Sequence, residues 1–455
     1  MCATMSAREK KEDLLSSWKE IAAYLDCGER TCRRWEKKYG LPVYRIDPDS
    51  KARVYSYKDE LDKWLRERIN SKSTHQNQIR RHFWLNKKIY LSLFIIFFGI
   101  LSIAFVIIKK SRTPNPANFK IKNSELIVLD QKGKELWRYD TGIKDLLDEN
   151  EYRSHFQIRR NNSNPPFDVL LPFLIIDDIN HDEKKEILFC THTQDRYGGG
   201  ILFCFNHNGD LLWDFKAGRK IKFGQQEYSS DFWVRGFEIC DLDDNGNHEI
   251  ILIAHALHFF PTILVVLNIN GKILGEYWNS GHLGGMAFFD LNGNGNKEII
   301  AIGQNNEYAK ACIIVFDSNQ LKGSSPQINS KYKCDDLTSG SEIFYILLPR
   351  TDLDILESPA ECVKNIYIQD NRQILAETHV SGIYFRFDCN LNLQGVRLSH
   401  AFERLHKKLL LEVKIKSELN KEKYKKELES GLLYYDGEKW VNHHAMSNPW
   451  NDIEK

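Results

Sequence analysis

The sequence has almost no net charge and no paired cysteines. Its 455 residues include 63 Lys and Arg against 62 Asp and Glu, a formal net charge of +1, so no overall field draws the chain toward nucleic acid or a membrane surface. None of the ten cysteines belongs to a CxxC pair, which argues against a disulfide scaffold or a cysteine metal site. Those that lie singly in apolar runs are predicted to be small buried residues: Cys190, Cys204, Cys240 and Cys312.

The sequence also lacks the short signatures of common enzymes. It contains no G-x-S-x-G segment, no H-E-x-x-H segment and no phosphate-binding loop. The chain is therefore predicted not to be an enzyme. Four histidines stand alone in the sequence and are expected to be loop or channel residues rather than metal ligands: His192, His255, His258 and His282.

One long hydrophobic run is present. Residues 89–108 read IYLSLFIIFFGILSIAFVII, without a charge, and a helix of this length crosses about 30 Å of hydrocarbon. The long polar segment before the run excludes a cleavable signal peptide. The sequence thus predicts a single transmembrane helix in the lipid bilayer. Basic residues flank both sides, so the positive-inside rule favours a cytoplasmic N-terminus only slightly.

The segment before this run shows the periodicity of short amphipathic helices. The apolar spacing predicts a helix at 18–25, a turn at 26–29, a helix at 30–39, strands at 41–46 and 52–57, and a closing helix at 59–68. Ser17 is the candidate N-cap of the first helix. In the closing helix, Leu61, Trp64 and Leu65 are expected to face inward. Two short helices joined by a tight turn form a helix-turn-helix unit, and the strands form a β-wing.

Basic side chains cluster on the second helix and on the wing. Such side chains can reach DNA phosphates or read base edges in a major groove. The alternative is a solvated basic helix in a domain that binds protein. A DNA-binding domain must be cytoplasmic, and the part after the hydrophobic run is then extracytoplasmic. The candidate DNA-contacting residues are Arg30, Thr31, Arg33, Arg34, Lys37, Lys38, Arg45, Lys51 and Arg53.

Residues 17–68 resemble the winged helix-turn-helix domains of the MerR/excisionase type. The segments that carry the resemblance are SWKEIAAYL, RTCRRWEKKYGLPVYR and ARVYSYKDELDKWLRER. The resemblance implies a small α+β domain that binds DNA. Members of the family usually have glycine at the turn between the helices, where this chain has Asp26. Aspartate adopts the left-handed backbone conformation more readily than most residues, so the turn is still expected to form.

Three acidic loops repeat between residues 178 and 299. They read DINHDEKKEI, DLDDNGNHEI and DLNGNGNKEI, and begin at Asp178, Asp241 and Asp290. Each has oxygen-bearing side chains at positions one, three and five and a glutamate at position nine. Alternate oxygens of a tight loop can converge on a hard cation such as Ca²⁺. Calcium is favoured at the Asp241 loop, whereas simple Asx-turns remain an equal alternative at the other two.

A second repeat alternates with the acidic loops. Segments 126–137, 201–213 and 264–274 each place two apolar stretches around a polar, glycine-containing turn, the pattern of a β-hairpin. A loop, a strand and a hairpin that recur about every fifty to sixty residues are typical of a propeller blade. The sequence predicts an all-β propeller of five to seven blades. A helical insertion is expected at 400–432, and a last hairpin at 431–441 is expected to close the ring against the first blade.

The acidic loops resemble the FG-GAP/VCBS repeats found in integrin α-type propellers. The resemblance covers about residues 120–317 and implies that loop oxygens bind Ca²⁺, with Asn247 using its backbone carbonyl. The implied ligands are Asp178, Asn180, Asp182 and Glu186 in the first loop, Asp241, Asp243, Asn245, Asn247 and Glu249 in the second, and Asp290, Asn292, Asn294, Asn296 and Glu298 in the third.

The chain is therefore predicted to be multidomain, with a small α+β domain, one transmembrane α-helix and an all-β propeller. The expected boundaries are a winged helix-turn-helix domain at 14–69, a basic tether at 70–88, the transmembrane helix at 89–108, a hinge at 109–119 and the propeller at 120–455.

The leading hypothesis is a single-pass bacterial membrane protein that regulates transcription. Its N-terminal domain would bind DNA in the cytoplasm, and its propeller would bind an extracytoplasmic protein, glycan or small ligand. The alternative is an adhesion or scaffold protein of the cell surface, whose N-terminal domain is a cytoplasmic adaptor. An extracytoplasmic enzyme ranks third. The sequence leaves a homodimer open, since the hydrophobic run has small residues but no GxxxG pair.

Overall fold

The computed structural model of the chain describes residues 13–45, 53–79, 114–160, 171–194, 199–369 and 372–442. Contacts divide the chain into two compact units, Met1–Arg112 and Thr113–Lys455. The predicted transmembrane segment at 89–108 lies outside the described residues. Within the described ranges, no helix is both long and apolar enough to cross a membrane.

The described residues of the N-terminal unit form three helices and a three-stranded antiparallel sheet of order β1-β3-β2. Its elements are β1 (Leu14–Leu15), α1 (Trp18–Tyr24), α2 (Glu29–Tyr39), β2 (Tyr44–Arg45), β3 (Val54–Tyr57) and α3 (Lys58–Ile79). The succession of helix, turn, helix, two strands and helix agrees with the apolar spacing. Helix α3 continues through 70–79, part of the predicted tether, because no glycine or proline interrupts it.

Local side-chain chemistry sets the ends of the two short helices. The Ser17 hydroxyl accepts the backbone N–H of Glu20 at 3.2 Å and so caps α1, as predicted. Asp26 adopts a left-handed φ of +50°, so the aspartate takes the backbone conformation that glycine would take at this turn. Helix α2 ends at Gly40, which has a φ of +64°. Glycine adopts this conformation without steric cost.

A small hydrophobic core joins the helices to the sheet. Ile21 of α1 and Leu61 of α3 are fully buried in it. The rings of Trp35 and Trp64 pack against it with their centroids 5.9 Å apart. The expectation that Leu65 faces inward is wrong, because Leu65 is 38% exposed and lies outside the hydrophobic core.

The C-terminal unit begins with two antiparallel sheets that follow each other along the chain. The first contains β4 (Asn118–Lys122), β5 (Glu125–Leu129) and β6 (Glu135–Asp140). The second contains β7 (Leu174–Asp177), β8 (Glu186–His192), β9 (Gly199–Phe205) and β10 (Leu211–Lys216). A two-stranded ribbon follows, formed by β11 (Ile221–Phe223) and β12 (Gln226–Tyr228).

Three further antiparallel sheets complete the described part of the unit. The third contains β13 (Trp233–Cys240), β14 (Glu249–His255), β15 (Thr262–Leu267) and β16 (Ile273–Asn279). The fourth begins with β17 (Leu283–Phe289), β18 (Glu298–Asn305), β19 (Lys310–Phe316) and β20 (Glu342–Leu347). The fifth contains β21 (Val363–Ile368), β22 (Ile374–Thr378), β23 (Ile383–Phe387) and β24 (Leu393–Leu398).

Hydrophobic clusters fill the spaces between consecutive sheets. Separate clusters join the first sheet to the second, the second to the third, the third to the fourth and the fourth to the fifth. Strands β8 and β14 are buried along their whole length, which explains their continuous apolar sequences. Cys190, Cys204 and Cys312 are buried as predicted, while Cys240 is only half-buried. This succession of mainly four-stranded antiparallel sheets is consistent with a β-propeller.

Helices and a last hairpin decorate the sheets. In the described ranges the helices are α4 (Glu149–Arg160), α5 (Asp352–Glu357), α6 (His400–Leu411) and α7 (Lys421–Ser430), with short 3-10 turns at Leu257–Phe259 and Ser330–Tyr332. The last hairpin comprises β25 (Leu433–Tyr435) and β26 (Trp440–Asn442). The expected late helical insertion is thus present. The expectation that the last hairpin closes against the first sheet is wrong, because β25 pairs with β20 and satisfies the backbone groups of that edge strand.

The repeated hairpins are explained by a shared turn. Asp130, Asn206, Asn268 and Asp388 each open such a turn, and one side-chain oxygen accepts the N–H groups two and four residues later at 2.8–3.0 Å. A single Asp or Asn therefore satisfies two backbone donors of the turn. The need to satisfy these two donors explains why Asp or Asn recurs at the first position of the turn in each hairpin.

Tryptophans in the second strands of two hairpins hold neighbouring sheets together. The indole N–H of Trp137 donates to the carbonyl of His207 at 3.1 Å, and its ring lies directly over Gly209. In the next pair of sheets, the indole N–H of Trp213 donates to the carbonyl of Ile269 at 2.9 Å. Each hairpin is thus fastened to the turn of the following sheet.

Candidate functional site

The three acidic loops occupy the same place in three consecutive sheets. They connect the first strand to the second strand of the second, third and fourth sheets. The glutamate at position nine is the first residue of the second strand in each case and is buried. The loops are therefore equivalent parts of the repeated sheets, as their sequences indicate.

The carboxylate of Asp241 organises the second loop. It accepts the backbone N–H of Asn245 at 3.1 Å and that of Gly246 at 3.0 Å. Asp244 and Gly246 have φ values of +53° and +87°, which bend the chain tightly. The side-chain oxygen of Asn245 accepts the backbone N–H of Asn247 at 2.7 Å. The loop thus forms the Asx-type hydrogen bonds that its composition predicts.

Three carboxylates of this loop converge. Ligand oxygens of Asp241, Asp243 and Glu249 lie within 4.8 Å of one another, and no other group of three His, Cys, Asp or Glu side chains in the described residues does so. The Glu249 carboxylate accepts the N–H of Leu242 at 3.0 Å, and burial raises the pKa of Glu249. Negative charges at this spacing repel one another unless a cation lies between them. The donor set fits a hard cation that takes oxygen ligands, such as Ca²⁺.

The first and third loops differ from the second at position three. Glu186 accepts the side-chain amide of Asn180 at 3.4 Å, and Glu298 accepts that of Asn292 at 3.1 Å. Burial raises the pKa of both glutamates to about 7. In the second loop a third carboxylate, Asp243, stands at this position. The Asn245 side-chain amide donates to Asp243 at 2.7 Å in the second loop, so an amide lies against a carboxylate in all three loops. Among the described residues, only the second loop brings three carboxylates together.

The remaining predicted ligands shape their own loops. Asp178 accepts two loop N–H groups, including that of Asp182 at 3.1 Å, and Asp290 likewise accepts that of Asn294 at 3.1 Å. The Asn294 side chain in turn accepts the N–H of Asn296 at 2.8 Å. These hydrogen bonds build the same turn in all three loops. Cation binding stays a prediction at all three loops.

Loops of consecutive sheets touch one another. The ammonium group of Lys297, in the third loop, donates to the carbonyl of Asp241 at 2.6 Å, and its backbone N–H donates to the carbonyl of Leu242 at 2.7 Å. The rings of His181 and His248 link the first loop to the second, with centroids 5.0 Å apart. The three loops therefore lie together on one side of the unit. The positive charge of Lys297 also offsets part of the negative charge of the second loop.

Helix α2 presents its basic side chains to solvent. The exposed residues are Arg30, Arg33, Arg34, Lys37 and Lys38. Cys32, on the opposite face of α2, is fully buried. The guanidinium carbon of Arg33 lies 5.0 Å from the centroid of the Trp18 ring, a cation–π contact between α1 and α2. The positive charge of α2 is thus concentrated on its outer face.

The other predicted DNA-contacting residues differ in their surroundings. Thr31 is half-buried and Arg53 is exposed, while Lys51 lies outside the described residues. Arg45 forms an ion pair with Glu36 at 2.6 Å, which ties strand β2 to helix α2. The Arg45 guanidinium is therefore already held by a carboxylate, and it is the least suited of these residues to contact a phosphate.

The structure brings together histidines that the sequence shows as isolated. His155, His192, His255 and His282 are near one another in the C-terminal unit, and burial lowers the pKa of all four. His192 and His255 occupy the same repeat position, six residues after the loop glutamate. Aligning the repeats would have found this pair, whereas His155 and His282 carry no such signal. The side chain of His258 lies outside the described part of the chain.

Comparison with known proteins yields structural likenesses only. No known protein family and no curated protein matches the chain, while 24 solved chains match by structure. Among these are the Dos1 propeller, at 8% identity over 59% of this chain with a TM-score of 0.29, and a protein of unknown function from Bacteroides caccae, at 9% over 63% with a TM-score of 0.24. A third is the V. cholerae biofilm matrix protein Bap1, at 15% over 51% with a TM-score of 0.22.

These likenesses are too weak to carry an argument about function. The aligned part spans 62% of the Dos1 chain, 96% of the Bacteroides caccae chain and 40% of the Bap1 chain. The chain thus covers less than two thirds of the Dos1 and Bap1 chains. The sheets of the chain itself, rather than its neighbours, are the observation consistent with a β-propeller.

Proposed function

We propose that the chain is a membrane-anchored DNA-binding regulator whose C-terminal unit is a calcium-loop propeller that binds a ligand outside the cytoplasm. The observation that carries the proposal is the outer face of α2. Five exposed basic side chains lie on this helix, which follows a second helix and a tight turn and precedes two antiparallel strands. This order of elements supports the proposal that residues 14–69 form a winged helix-turn-helix domain.

The chemistry of α2 suits a duplex. Arginine and lysine neutralise phosphates and release condensed counterions, which supplies much of the affinity for DNA. Arginine can also donate two hydrogen bonds to a guanine edge in the major groove. The Trp18 ring supports the Arg33 guanidinium, so this side chain is pre-positioned at the surface.

The test measures DNA binding by the full-length chain in detergent. Gel shift and fluorescence anisotropy over 50–200 mM salt are expected to show binding that weakens steeply as salt rises. Replacing Arg33, Arg34 and Lys37 together by Gln should weaken binding at least about tenfold and reduce the salt slope. The matched control replaces Lys122, Lys132 and Lys134, which are exposed in the C-terminal unit. Binding that does not depend on salt, or is equal in both triple variants, would exclude the proposal.

The proposal also assigns Ca²⁺ to the acidic loops. The second loop is the strongest candidate, with Asp241, Asp243 and Glu249 supported by the convergence of their oxygens. Asn245 and the Asn247 carbonyl would complete its oxygen set. The first and third loops would bind more weakly, because position three is asparagine there and supplies no carboxylate. When bound, Ca²⁺ would neutralise the charge of the loop and hold its two strands together.

The topology follows from these assignments. A domain that binds DNA must lie in the cytoplasm, and the predicted transmembrane segment at 89–108 would then place the C-terminal unit on the other side of the membrane. We also propose that the C-terminal unit binds a ligand and does not act as an enzyme.

A second candidate function is an adhesion or scaffold protein of the cell surface. The observation that favours it is that four tyrosines of the N-terminal unit are 37–41% exposed: Tyr24, Tyr39, Tyr44 and Tyr57. Tyrosine is enriched where proteins contact one another, which suits a cytoplasmic adaptor. The same glutamine variants separate the two functions. If the N-terminal unit is a protein adaptor, replacing Arg33, Arg34 and Lys37 should change neither gene expression nor binding to its protein partner.

A further inference from the structure

Two cysteine sulfurs meet in the N-terminal unit. The Sγ atoms of Cys27 and Cys32 lie 3.1 Å apart, and either thiol can donate its hydrogen to the other. Cys27 belongs to the turn between α1 and α2, and Cys32 lies in the first turn of α2. Within the ranges that the structure describes, every other cysteine lies in the C-terminal unit. The pair is therefore a separate cluster, next to the basic face of α2.

Local backbone structure brings the two cysteines together. The N–H of Cys27 donates to the carbonyl of Ala22 at 2.9 Å, which folds the turn back onto the end of α1. The left-handed φ of Asp26 reverses the chain just before Cys27. The N–H of Cys32 donates to the carbonyl of Gly28 at 3.2 Å as α2 begins. Backbone hydrogen bonds thus hold the two sulfurs close before any bond joins them.

The two thiols differ in their exposure. Cys32 is fully buried in the small core of the N-terminal unit, whereas Cys27 is half-buried and packs against that core. Burial and the neighbouring Cys27 sulfur raise the pKa of the Cys32 thiol to about 12. Cys32 therefore stays a thiol at neutral pH, and an oxidant from solvent meets Cys27 first. An accessible cysteine with a second cysteine beside it is the arrangement of many redox-sensing pairs.

Only a small movement is needed to join the two sulfurs. A disulfide bond is about 2.0 Å long, so the Sγ atoms of Cys27 and Cys32 must approach each other by roughly 1 Å. The proposed function places this unit in the cytoplasm, where thiols are kept reduced and disulfides are usually transient. A bond between these cysteines would therefore form when an oxidant appears and be reduced again afterwards.

We propose that Cys27 and Cys32 form a reversible disulfide in the presence of a hydroperoxide such as hydrogen peroxide, and that this bond weakens the binding of the N-terminal unit to DNA. The proposal rests on the proposed DNA-binding function. It adds redox regulation of the helix that carries the basic side chains.

One molecule of hydrogen peroxide is consumed for each disulfide. The thiolate sulfur of Cys27 attacks one peroxide oxygen, the O–O bond breaks, and the leaving hydroxide takes up the proton that Cys27 has lost. The Cys32 sulfur then attacks the sulfur of the Cys27 sulfenic acid. The S–S bond forms, the S–O bond breaks, and the hydroxyl group leaves as water with the proton of Cys32. The two thiols lose two electrons in total, and the peroxide is reduced to two molecules of water. A dithiol reverses the reaction by thiol–disulfide exchange.

The disulfide acts on the outer face of α2 through the first turn of that helix. Arg30 and Arg33 lie close to Cys32 in the chain, and the Arg33 guanidinium packs on the Trp18 ring of α1. Pulling Cys32 toward the turn shifts the start of α2 relative to α1 and moves these side chains. Contacts to phosphates and base edges depend on their positions. The oxidised chain is therefore expected to bind DNA at least about fivefold more weakly, the effect of losing about one base contact.

The first test locates the bond by mass spectrometry of the full-length chain in detergent. The chain is treated with hydrogen peroxide, its remaining thiols are blocked, and it is digested with trypsin without reduction. Trypsin cleaves after Arg30, so Cys27 and Cys32 fall in separate peptides, 20–30 and 31–33. The disulfide is expected to link these two peptides, and dithiothreitol should separate them. Absence of the linked peptides after peroxide treatment would overturn the proposal.

The second test follows DNA binding by fluorescence anisotropy before peroxide, after peroxide and after dithiothreitol. Cys27→Ser should bind DNA as the reduced parent does and should lose the response to peroxide, because the bond cannot form. Cys389→Ser is the matched control, since Cys389 is a half-buried cysteine of the C-terminal unit, and it should keep the full response. Linked peptides without a change in DNA affinity, or a response that persists in Cys27→Ser, would refute the regulation.

The result can be separated from that of the proposed function. If the reduced chain binds no DNA, the regulator is refuted and the redox regulation with it, while the linked peptides still show whether the disulfide forms. If the reduced and oxidised chains bind DNA equally well, only the redox proposal is refuted.

Discussion

The glutamate at position nine of each acidic loop stabilises the loop directly. In every loop its carboxylate accepts the backbone N–H of the second loop residue, at 3.2 Å in the first, 3.0 Å in the second and 2.7 Å in the third. These hydrogen bonds explain why the glutamate recurs in all three loops, whether or not a cation binds there. What distinguishes the second loop is the aspartate at position three, since the other two loops have asparagine there.

Substitutions at position three should change the affinity of the individual loops for Ca²⁺. Asp243→Asn makes the second loop resemble the third, and is expected to weaken Ca²⁺ binding at least about tenfold because a carboxylate ligand is lost. The rise in melting temperature caused by Ca²⁺, followed by calorimetry, should shrink accordingly.

The reciprocal change is the matched control. Asn292→Asp adds a carboxylate to the third loop, and is expected to increase the Ca²⁺-dependent rise in melting temperature. An unchanged calcium response in both variants would show that position three does not determine cation binding.

The buried carboxyl group of Glu342 should make the free energy of unfolding depend on pH. Burial raises the pKa of Glu342 to about 7, well above its value in an unfolded chain. The folded state therefore retains a proton that the unfolded state has lost, and stability falls as pH rises from about 4.5 to about 7. Glu342→Gln should be more stable than the parent by about 1–3 kcal/mol at pH 8, and similar to it at pH 5.

Chemical denaturation at the two pH values measures this difference. Glu227→Gln, at an exposed position, is the control and should change the stability equally at both pH values. A Glu342→Gln variant that is no more stable at pH 8 than the parent would show that the carboxyl is not held in its protonated form.

At the scale of elements, the hairpins connect the sheets into one unit. The Trp137 ring covers Gly209 so closely that a Cβ atom added there would lie 2.6 Å from it. The glycine also has a φ of +92°. Both the close approach and the left-handed backbone therefore require glycine at this turn.

Gly209→Ala is expected to lower the free energy of unfolding by about 2–4 kcal/mol, because it adds a steric clash to backbone strain. Gly437→Ala separates the two effects, since Gly437 has a similar φ of +97° but no atom within 4 Å of an added Cβ. It should cost about 1–2 kcal/mol. Equal losses in the two variants, measured by urea denaturation, would show that the Trp137 contact contributes nothing.

Elements of the N-terminal unit follow from local sequence, but their lengths do not. Periodicity places α1 and α2 correctly because one face of each must be apolar. Helix α3 continues past residue 69. The polar sequence there contains no glycine or proline, so it allows a helix but does not require one. Whether such a segment stays helical depends on the structure around it.

At the scale of the whole molecule, the two compact units should unfold separately. Calorimetry of the full-length chain is expected to show two transitions, because each unit has its own hydrophobic clusters. Ca²⁺ should raise only the transition of the C-terminal unit, since the acidic loops all lie in it. A single transition, or a calcium shift of both, would contradict independent units.

The sequence by itself determined the repeated features of this protein. The acidic loops, the hairpin turns and the two short helices each depend on residues close together in the chain, so their spacing predicts them. The basic face of α2 could likewise be read from helical periodicity.

Only the tertiary structure decided which distant groups meet. It showed the last hairpin on β20 rather than on the first sheet, and it tied Arg45 to Glu36. It also gathered four histidines from separate parts of the chain around Arg235. Such contacts join residues far apart in the chain, and they form only when strands, helices and sheets pack together. No pattern of neighbouring residues therefore encodes them.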